Sequence, residues 1–329
     1  MKRIISRMLP LALALGMLAG CAPQKNELVF ADAGWDSIKF HNAVAGYIGQ
    51  AAFGYDGYKE IMGSSVILHE GLIKGEVDVH MENWTDNLAT WDEDVAAGKL
   101  QALGVNFDDN MQGLYVPRYV IEGDAQRGIE PMAPDLKTVE DLKKYKDVFP
   151  DDEQKDKGRI YGAIPGWVID EIMYKKYQHY GLDADFVYFR PGSEAAMNAA
   201  FTTAYEKGEP IVGYNWEPTW LMGKYDFVLL EDAPYTEEGF QAGETACPSV
   251  PVEVAVSNKF AEKNPEYVEF LKKYKTSSQL TSDALAHMQD TGASHLDTAK
   301  WFLKENDSLL DQWLTAEQVA KVREALGKV

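Results

Sequence analysis

The sequence predicts an α/β protein with two lobes around a cleft, each lobe a mostly parallel sheet flanked by helices. Three observations carry this. Short apolar runs alternate with amphipathic helical stretches, the pattern of parallel strands covered on both faces. The chain has 329 residues, 46% of them hydrophobic, enough to fill more than one core. Finally, four tryptophans recur in register. Trp35 and Trp167 each follow a glycine, and Trp84 and Trp216 each follow an asparagine. Within each half the two tryptophans are 49 residues apart, and the halves are offset by 132 residues.

Residues 1–21 read as a leader that is not part of the fold. Lys2, Arg3 and Arg7 form a basic start, and Leu9 to Leu18 is apolar but too short to span a bilayer as a stable helix. Leu18-Ala19-Gly20-Cys21 resembles the bacterial lipobox, which implies cleavage before Cys21 and lipid attachment to its thiol. Residues 22–27 are a polar tether. Beyond them the only cysteine is Cys247, so no intramolecular disulfide forms and packing supplies the stability.

The first lobe begins with a buried strand at Leu28 to Ala31, a turn at Gly34 to Ser37 and a helix over Ile38 to Phe53. A strand over Tyr58 to Met62, a cap at Ser64, a helix over Val66 to Lys74, a strand over Val77 to Met81 and a helix over Asp86 to Ala97 follow. Leu114 to Ile121 contains Pro117 and suits a crossing between lobes. A short helix is expected over Val139 to Phe149. The second lobe repeats the scheme: strand Ile160 to Ile164, helix Val168 to Tyr180, strand Phe186 to Phe189, cap Ser193, helix Glu194 to Lys207, and strand Ile211 to Tyr214. Tyr225 to Leu230 carries the chain back, Val250 to Ser257 rejoins the first sheet, and helices fill the rest. These readings assign residues 28–116 and 231–329 to lobe 1 and residues 117–230 to lobe 2.

The net charge is −20, or about −23 without the leader. That argues against nucleic acid and against an anionic membrane surface as partners. The six histidines are scattered, and there is no HExxH, no GxSxG and no glycine-rich phosphate loop. His80, two residues before Glu82, is the one histidine placed near the cleft. No enzyme, cofactor or metal site is expected, although a catalytic carboxylate pair has no sequence signature that would expose it.

Ligands bind at the carboxyl ends of strands in such folds, and all four repeated tryptophans lie there. Trp91, Trp301 and Trp313 sit on helical patterns and belong to the core, while Trp220 is balanced between the two roles. Four aromatic faces suit a cation without hydrogen-bond donors, such as a quaternary ammonium. Trp35, Trp84, Trp167 and Trp216 are the expected walls, with Tyr115 and Tyr214 completing a cage. Ser193, and similarly Ser64, opens a helix whose amides attract an anion. Asp36, Glu82, Asp86 and Glu217 lie beside the tryptophans and favour a cation or accept from a hydroxyl.

The lipobox, the GW and NW strand ends, YNWEPTW at 214–220, PGSEAAM at 191–197 and CPSVPVEVAVSNKF at 247–260 together resemble the substrate-binding proteins of glycine betaine, choline and related ABC importers. The resemblance spans nearly the whole chain after the leader. It implies a periplasmic-binding-protein fold of type II-like form, a tryptophan cage for a trimethylammonium group, and delivery of cargo to a membrane permease driven by a separate ATPase. It also implies an extracytoplasmic, lipid-anchored protein with a monomeric soluble part. Several relatives carry a histidine before the last tryptophan of the YNWEPTW segment, where this chain has Thr219. That departure leaves the ligand open among glycine betaine, choline, carnitine and trimethylamine N-oxide. A sensory lipoprotein presenting the same ligands to a receptor, or less simply a secreted enzyme acting on methylated amines, would share these features.

Overall fold

A computed structural model describes residues 27–85 and 88–327. The expected leader, the lipobox with Cys21, and Asp86 lie outside the described residues. Lobe 1 opens with β1 (Glu27–Asp32), α1 (Asp36–Phe53), β2 (Gly57–Met62), α2 (Ser65–Lys74), β3 (Val79–Trp84), α3 (Trp91–Ala96) and β4 (Leu100–Phe107). The chain then enters lobe 2 with β5 (Gln112–Pro117), α4 (Arg118–Glu122), β6 (Gly158–Tyr161), α5 (Val168–His179), β7 (Phe186–Phe189), α6 (Glu194–Lys207), β8 (Gly213–Trp216), α7 (Trp220–Lys224), β9 (Phe227–Leu229) and α8 (Glu237–Ala242). It returns through β10 (Val252–Ser257) and closes with α9 (Asn258–Lys263), α10 (Pro265–Leu271), α11 (Ser278–Thr291), α12 (His295–Glu305), α13 (Ser308–Trp313) and α14 (Ala316–Gly327).

The two sheets share one topology. Lobe 1 has the order β2-β1-β3-β10-β4 and lobe 2 the order β7-β6-β8-β5-β9. In lobe 1, β2, β1 and β3 are parallel and β10 runs against β3 and β4. In lobe 2, β7, β6 and β8 are parallel and β5 runs against β8 and β9. Each antiparallel strand thus arrives from the other half of the chain. The equivalence of β1 with β6 and of β3 with β8 is the structural counterpart of the duplicated tryptophans.

One core lies between the lobe 1 sheet, α1 and the C-terminal helices, and includes Phe30, Phe40, Tyr267, Phe302 and Trp313. A smaller cluster with Leu68, Leu72 and Trp91 covers the other face. Lobe 2 has its own core around Val116, Ile160, Phe186, Phe201 and Val212. Trp91 and Trp313 are therefore core residues, as their helical spacing implies. Trp301 is partly buried and stacks on His287 with ring centroids 3.8 Å apart.

Four readings of the sequence change. Strand β4 has no clear alternation to reveal it: its middle is only half-buried, Gly104 has φ +139°, and its register against β10 shifts twice. The helix expected over 139–149 is a single 3-10 turn, Glu140–Lys144. The crossing expected around Pro117 comes earlier, because β5 pairs within the second sheet and Pro117 merely ends it beside the edge strand β9. The return crossing comes later than 230. Strand β9 is an edge of the lobe 2 sheet, and Lys176 of α5 holds the following segment by an ion pair to Asp232 and a 2.6 Å hydrogen bond to the Thr245 carbonyl.

Both crossings consequently run side by side at 108–111 and 248–250. Buried Asn110 ties them: its Nδ2 donates to the Val250 carbonyl at 2.6 Å and its Oδ1 accepts from the Val250 amide at 3.1 Å. Ser249 Oγ donates to the Asp108 carbonyl at 2.7 Å.

A further contact joins the lobes where α7 packs on α11. Gly223 makes it possible, since a Cβ there would collide with the Ser282 carbonyl. The Gly223→Ala variant is expected to lose about 1–3 kcal/mol of stability through this overpacking. Thermal unfolding followed by circular dichroism checks it, and an unchanged Tm would mean that α7 and α11 are not held this close.

Candidate functional site

The site is built from the turns that leave the parallel strands. Gly34 and Gly166 occupy corresponding turns after β1 and β6 with φ of +97° and +92°, a conformation that glycine adopts without strain. Each turn delivers a tryptophan, Trp35 or Trp167, to the position just before a long helix, α1 or α5. Trp84 and Trp216 are the last residues of β3 and β8.

In lobe 1 a single carboxylate oxygen organises the aromatics. Glu82 Oε1 accepts from Trp35 Nε1 at 2.7 Å, from Trp84 Nε1 at 2.9 Å and from Ser37 Oγ at 2.9 Å. Glu82 is fully buried, and the nearest cationic candidate, His41 Nε2, is 4.0 Å from Oε2. His41 is itself kept neutral by burial, which pushes its value down to about 3. Burial raises the Glu82 carboxyl to about 7, against the opposing pull of the Trp84, Ser37 and Trp35 hydrogen bonds, and the charge of Glu194 pushes the same way as burial. The acid is thus stored in a form that titrates near neutrality.

In lobe 2 the aromatics hold one another. Trp167 meets Trp216 edge to face at 5.2 Å, and Tyr214 stacks behind Trp216 at 5.9 Å. The Tyr214 hydroxyl donates to Gln112 Oε1 at 2.9 Å, and the Tyr115 hydroxyl donates to Glu217 Oε1 at 3.2 Å. Burial raises the Glu217 carboxyl above its ordinary value.

Between the lobes is a narrow gap, with room for about 10 Å³, lined by Trp35, Asp36, Ser37, Glu194, Trp216, Pro218, Thr219, Trp220 and Leu285. Of the residues expected from sequence, Trp35, Asp36 and Trp216 line it directly. Trp84 and Trp167 flank these walls through Glu82 and the indole pair. Tyr115 and Tyr214 are buried behind the wall, with their hydroxyls committed elsewhere. Glu82 sits beneath the indoles, and Glu217 lies next to the lining residue Pro218. Ser193 is exposed and caps α6 by accepting from the Ala196 amide at 3.1 Å, and Ser64 caps α2 in the same way. His80 is buried and held neutral, its value lowered to about 3, and lies away from the lining.

Ser37, Glu194, Pro218 and Leu285 line the space without having been expected there from sequence, and Thr219 lines it at the position where the sequence departs from its relatives. Glu194 had a signal, an acid directly after the Ser193 cap of a predicted helix. Leu285 comes from α11 in the C-terminal region and carries no local mark. Trp220 takes both roles weighed for it, since it lines the space and packs against the cores of both lobes. Thr219 caps α7 by accepting from the Met222 amide at 3.3 Å. Among the described residues no cluster of side chains could hold a metal ion, and no helix is long and apolar enough to cross a membrane.

The family described as the substrate binding domain of ABC-type glycine betaine transport systems matches residues 26–305. No curated protein sequence matches. Among solved structures, the glycine betaine, L-proline-binding protein ProX from Borrelia burgdorferi superposes with a TM-score of 0.64 at 17% identity, covering 90% of this chain and 99% of that one. An ABC-transporter choline-binding protein in complex with choline gives 0.63 at 21% identity, covering 92% and 99%. Lactococcal OpuAC in its closed form with glycine betaine gives 0.61 at 19% identity, covering 88% and 100%. These likenesses show the two-lobed binding-protein fold.

Substitutions at Glu82 separate its two roles. Glu82→Ala leaves two indole N–H groups and a hydroxyl without their acceptor and should cost about 2–4 kcal/mol. Glu82→Gln keeps an acceptor oxygen and removes the buried charge. Because the folded value of Glu82 lies above the ordinary 4.5, wild-type stability should fall as pH rises from about 4.5 to about 7. Denaturant unfolding across this range should show a shallower fall in Glu82→Gln, and identical pH profiles would contradict the assignment.

Proposed function

Since the chain belongs to the family of substrate-binding domains of ABC-type glycine betaine transport systems, we propose that it captures a quaternary ammonium or related methylated amine between its lobes and hands it to a membrane permease. The family is one of solute-binding proteins of ABC transporters rather than of enzymes. The candidate cargo includes glycine betaine, choline, carnitine and trimethylamine N-oxide. Two of the structural relatives are described with such ligands, choline in one and glycine betaine in the other.

The observation that carries this reading is the fixed orientation of the indoles. An unrestrained tryptophan would lose side-chain entropy on clamping a ligand. Here Trp35 and Trp84 are held by Glu82, and Trp216 is wedged between Trp167 and Tyr214. Their faces are therefore set before the ligand arrives. Each desolvated contact between a cation and an aromatic face contributes about 2 kcal/mol. Three such contacts, offset by the entropy of association and assisted by carboxylates, reach the scale of about 8 kcal/mol that micromolar binding requires.

Neither lobe holds the ligand alone, because Trp35 and Asp36 come from lobe 1 and Trp216 and Glu194 from lobe 2. Binding thus favours the closed arrangement, which a permease reads as a loaded carrier. The protein acts outside the cytoplasm, anchored through lipid on Cys21. Lipid chains contribute about 0.8 kcal/mol per buried methylene, so a multiply acylated cysteine suffices as a stable anchor.

Trp216→Ala and Trp35→Ala are each expected to weaken binding of choline or glycine betaine by about 2 kcal/mol or more, roughly thirtyfold. Isothermal titration calorimetry measures this. Thermal unfolding should show both variants still folded, with a modest loss of stability in Trp35→Ala, which takes one donor from Glu82. Variants that bind like the wild type would remove the indoles from the site.

A further inference from the structure

Three acids converge on the aromatic space. Asp36 and Glu194 line it, one from each lobe, and Glu82 lies directly beneath Trp35. Among the described residues no lysine, arginine or histidine lines the space. Asp36 and Glu194 are also the first residues of the long helices α1 and α6. Amides at such helix starts attract negative charge, and they are where a ligand carboxylate would be received. Each of these helix starts carries a carboxylate of the chain itself in its first turn.

We propose that Asp36 and Glu194 are specificity-determining residues that select a quaternary ammonium carrying no acid of its own, such as choline, over zwitterions such as glycine betaine and carnitine. The inference rests on the reading of the cleft as a quaternary ammonium site. The cation of a zwitterion would gain from the same aromatic faces, but its carboxylate would be repelled by the two acids that line the space. A simple cation meets no such penalty and bridges the two acids instead. Closing the lobes without a cation brings Asp36 and Glu194 towards each other uncompensated, so the same pair opposes empty closure.

The surroundings of Glu194 give this a titration signature. Burial and the charge of Asp36 raise its carboxyl to about 7, while a 3.4 Å hydrogen bond from Asn198 and the charge of Lys39 oppose the rise. Glu82 faces it from β3. Asp36 is held below its ordinary value chiefly by His295, whose Nε2 lies 3.6 Å from Oδ1, and remains ionised. A bound cation favours the ionised form of Glu194. Affinity for a simple cation should therefore rise between pH 6 and pH 8.

The test is calorimetric titration of the wild-type protein and of Glu194→Gln and Asp36→Asn with choline, glycine betaine and tetramethylammonium. The expected result is choline bound at least about tenfold tighter than glycine betaine by the wild type, with either folded variant narrowing that ratio by weakening choline. Glycine betaine bound as tightly as choline or tighter by the wild type overturns the proposal, as does an unchanged ratio in both folded variants. Failure of all three ligands to bind the wild type would instead bring down the quaternary ammonium reading on which the proposal stands.

Discussion

One buried carboxylate oxygen fixes the geometry on which the first half of this site depends. Glu82 Oε1 gathers the indole N–H groups of Trp35 and Trp84 and the hydroxyl of Ser37, bringing the turn after β1, the end of β3 and the start of α1 to a single point. An ionised acid without a counter-ion is costly in such a place, and the raised proton affinity of Glu82 expresses that cost. In the proposed function a bound cation offsets that cost. Lobe 2 reaches a similar wall by another route, with Trp167 and Tyr214 packing on either side of Trp216. The two halves share topology and tryptophan positions but differ in the forces that orient the rings.

The division into lobes sets these walls on opposite sides of one gap. Two adjacent crossings, laced together by Asn110 and Ser249, form the connection between the lobes. At the far side of the cleft α7 rests on α11 by way of Gly223, and Trp220 belongs to the edges of both cores. The ligand space lies between these regions. Helix α7 therefore belongs to the lobe 2 core through Leu221 and at the same time joins the two lobes through Gly223.

Much of this was legible in the sequence, and the reasons are specific. Strands β1, β6 and β7 are short apolar runs bounded by turn residues, and the long helices α1, α5 and α6 carry clear periodicity, so all were readable locally. The matched spacing of Trp35 with Trp84 and of Trp167 with Trp216 exposed the duplication before any contact was known. Strand β4 was hidden because its bulged, half-exposed register obeys neither helical nor alternating pattern. The crossings were misplaced because pairing partners from opposite halves of the chain, not Pro117, decide where β5 belongs. Glu82 was recognisable as an acid near tryptophans. Its contact with Trp84 is local, but its function as an anchor also depends on Trp35 and Ser37, 47 and 45 residues away, which no local pattern encodes. Tyr115 and Tyr214 show the reverse error, aromatic residues near the site whose burial places them behind it.

The account holds that positive charge, and not merely the bulk of a trimethylated head, is what the aromatic and acidic walls recognise. The most direct measurement compares choline with 3,3-dimethylbutanol, its uncharged carbon counterpart of the same shape, by calorimetric titration of the wild-type protein. The account predicts that the alcohol binds about a hundredfold more weakly than choline, or not measurably, since both the ring quadrupoles and the carboxylates lose their partner. Equal affinity for the two would show that shape and apolar burial alone fill the cleft, and would contradict the account.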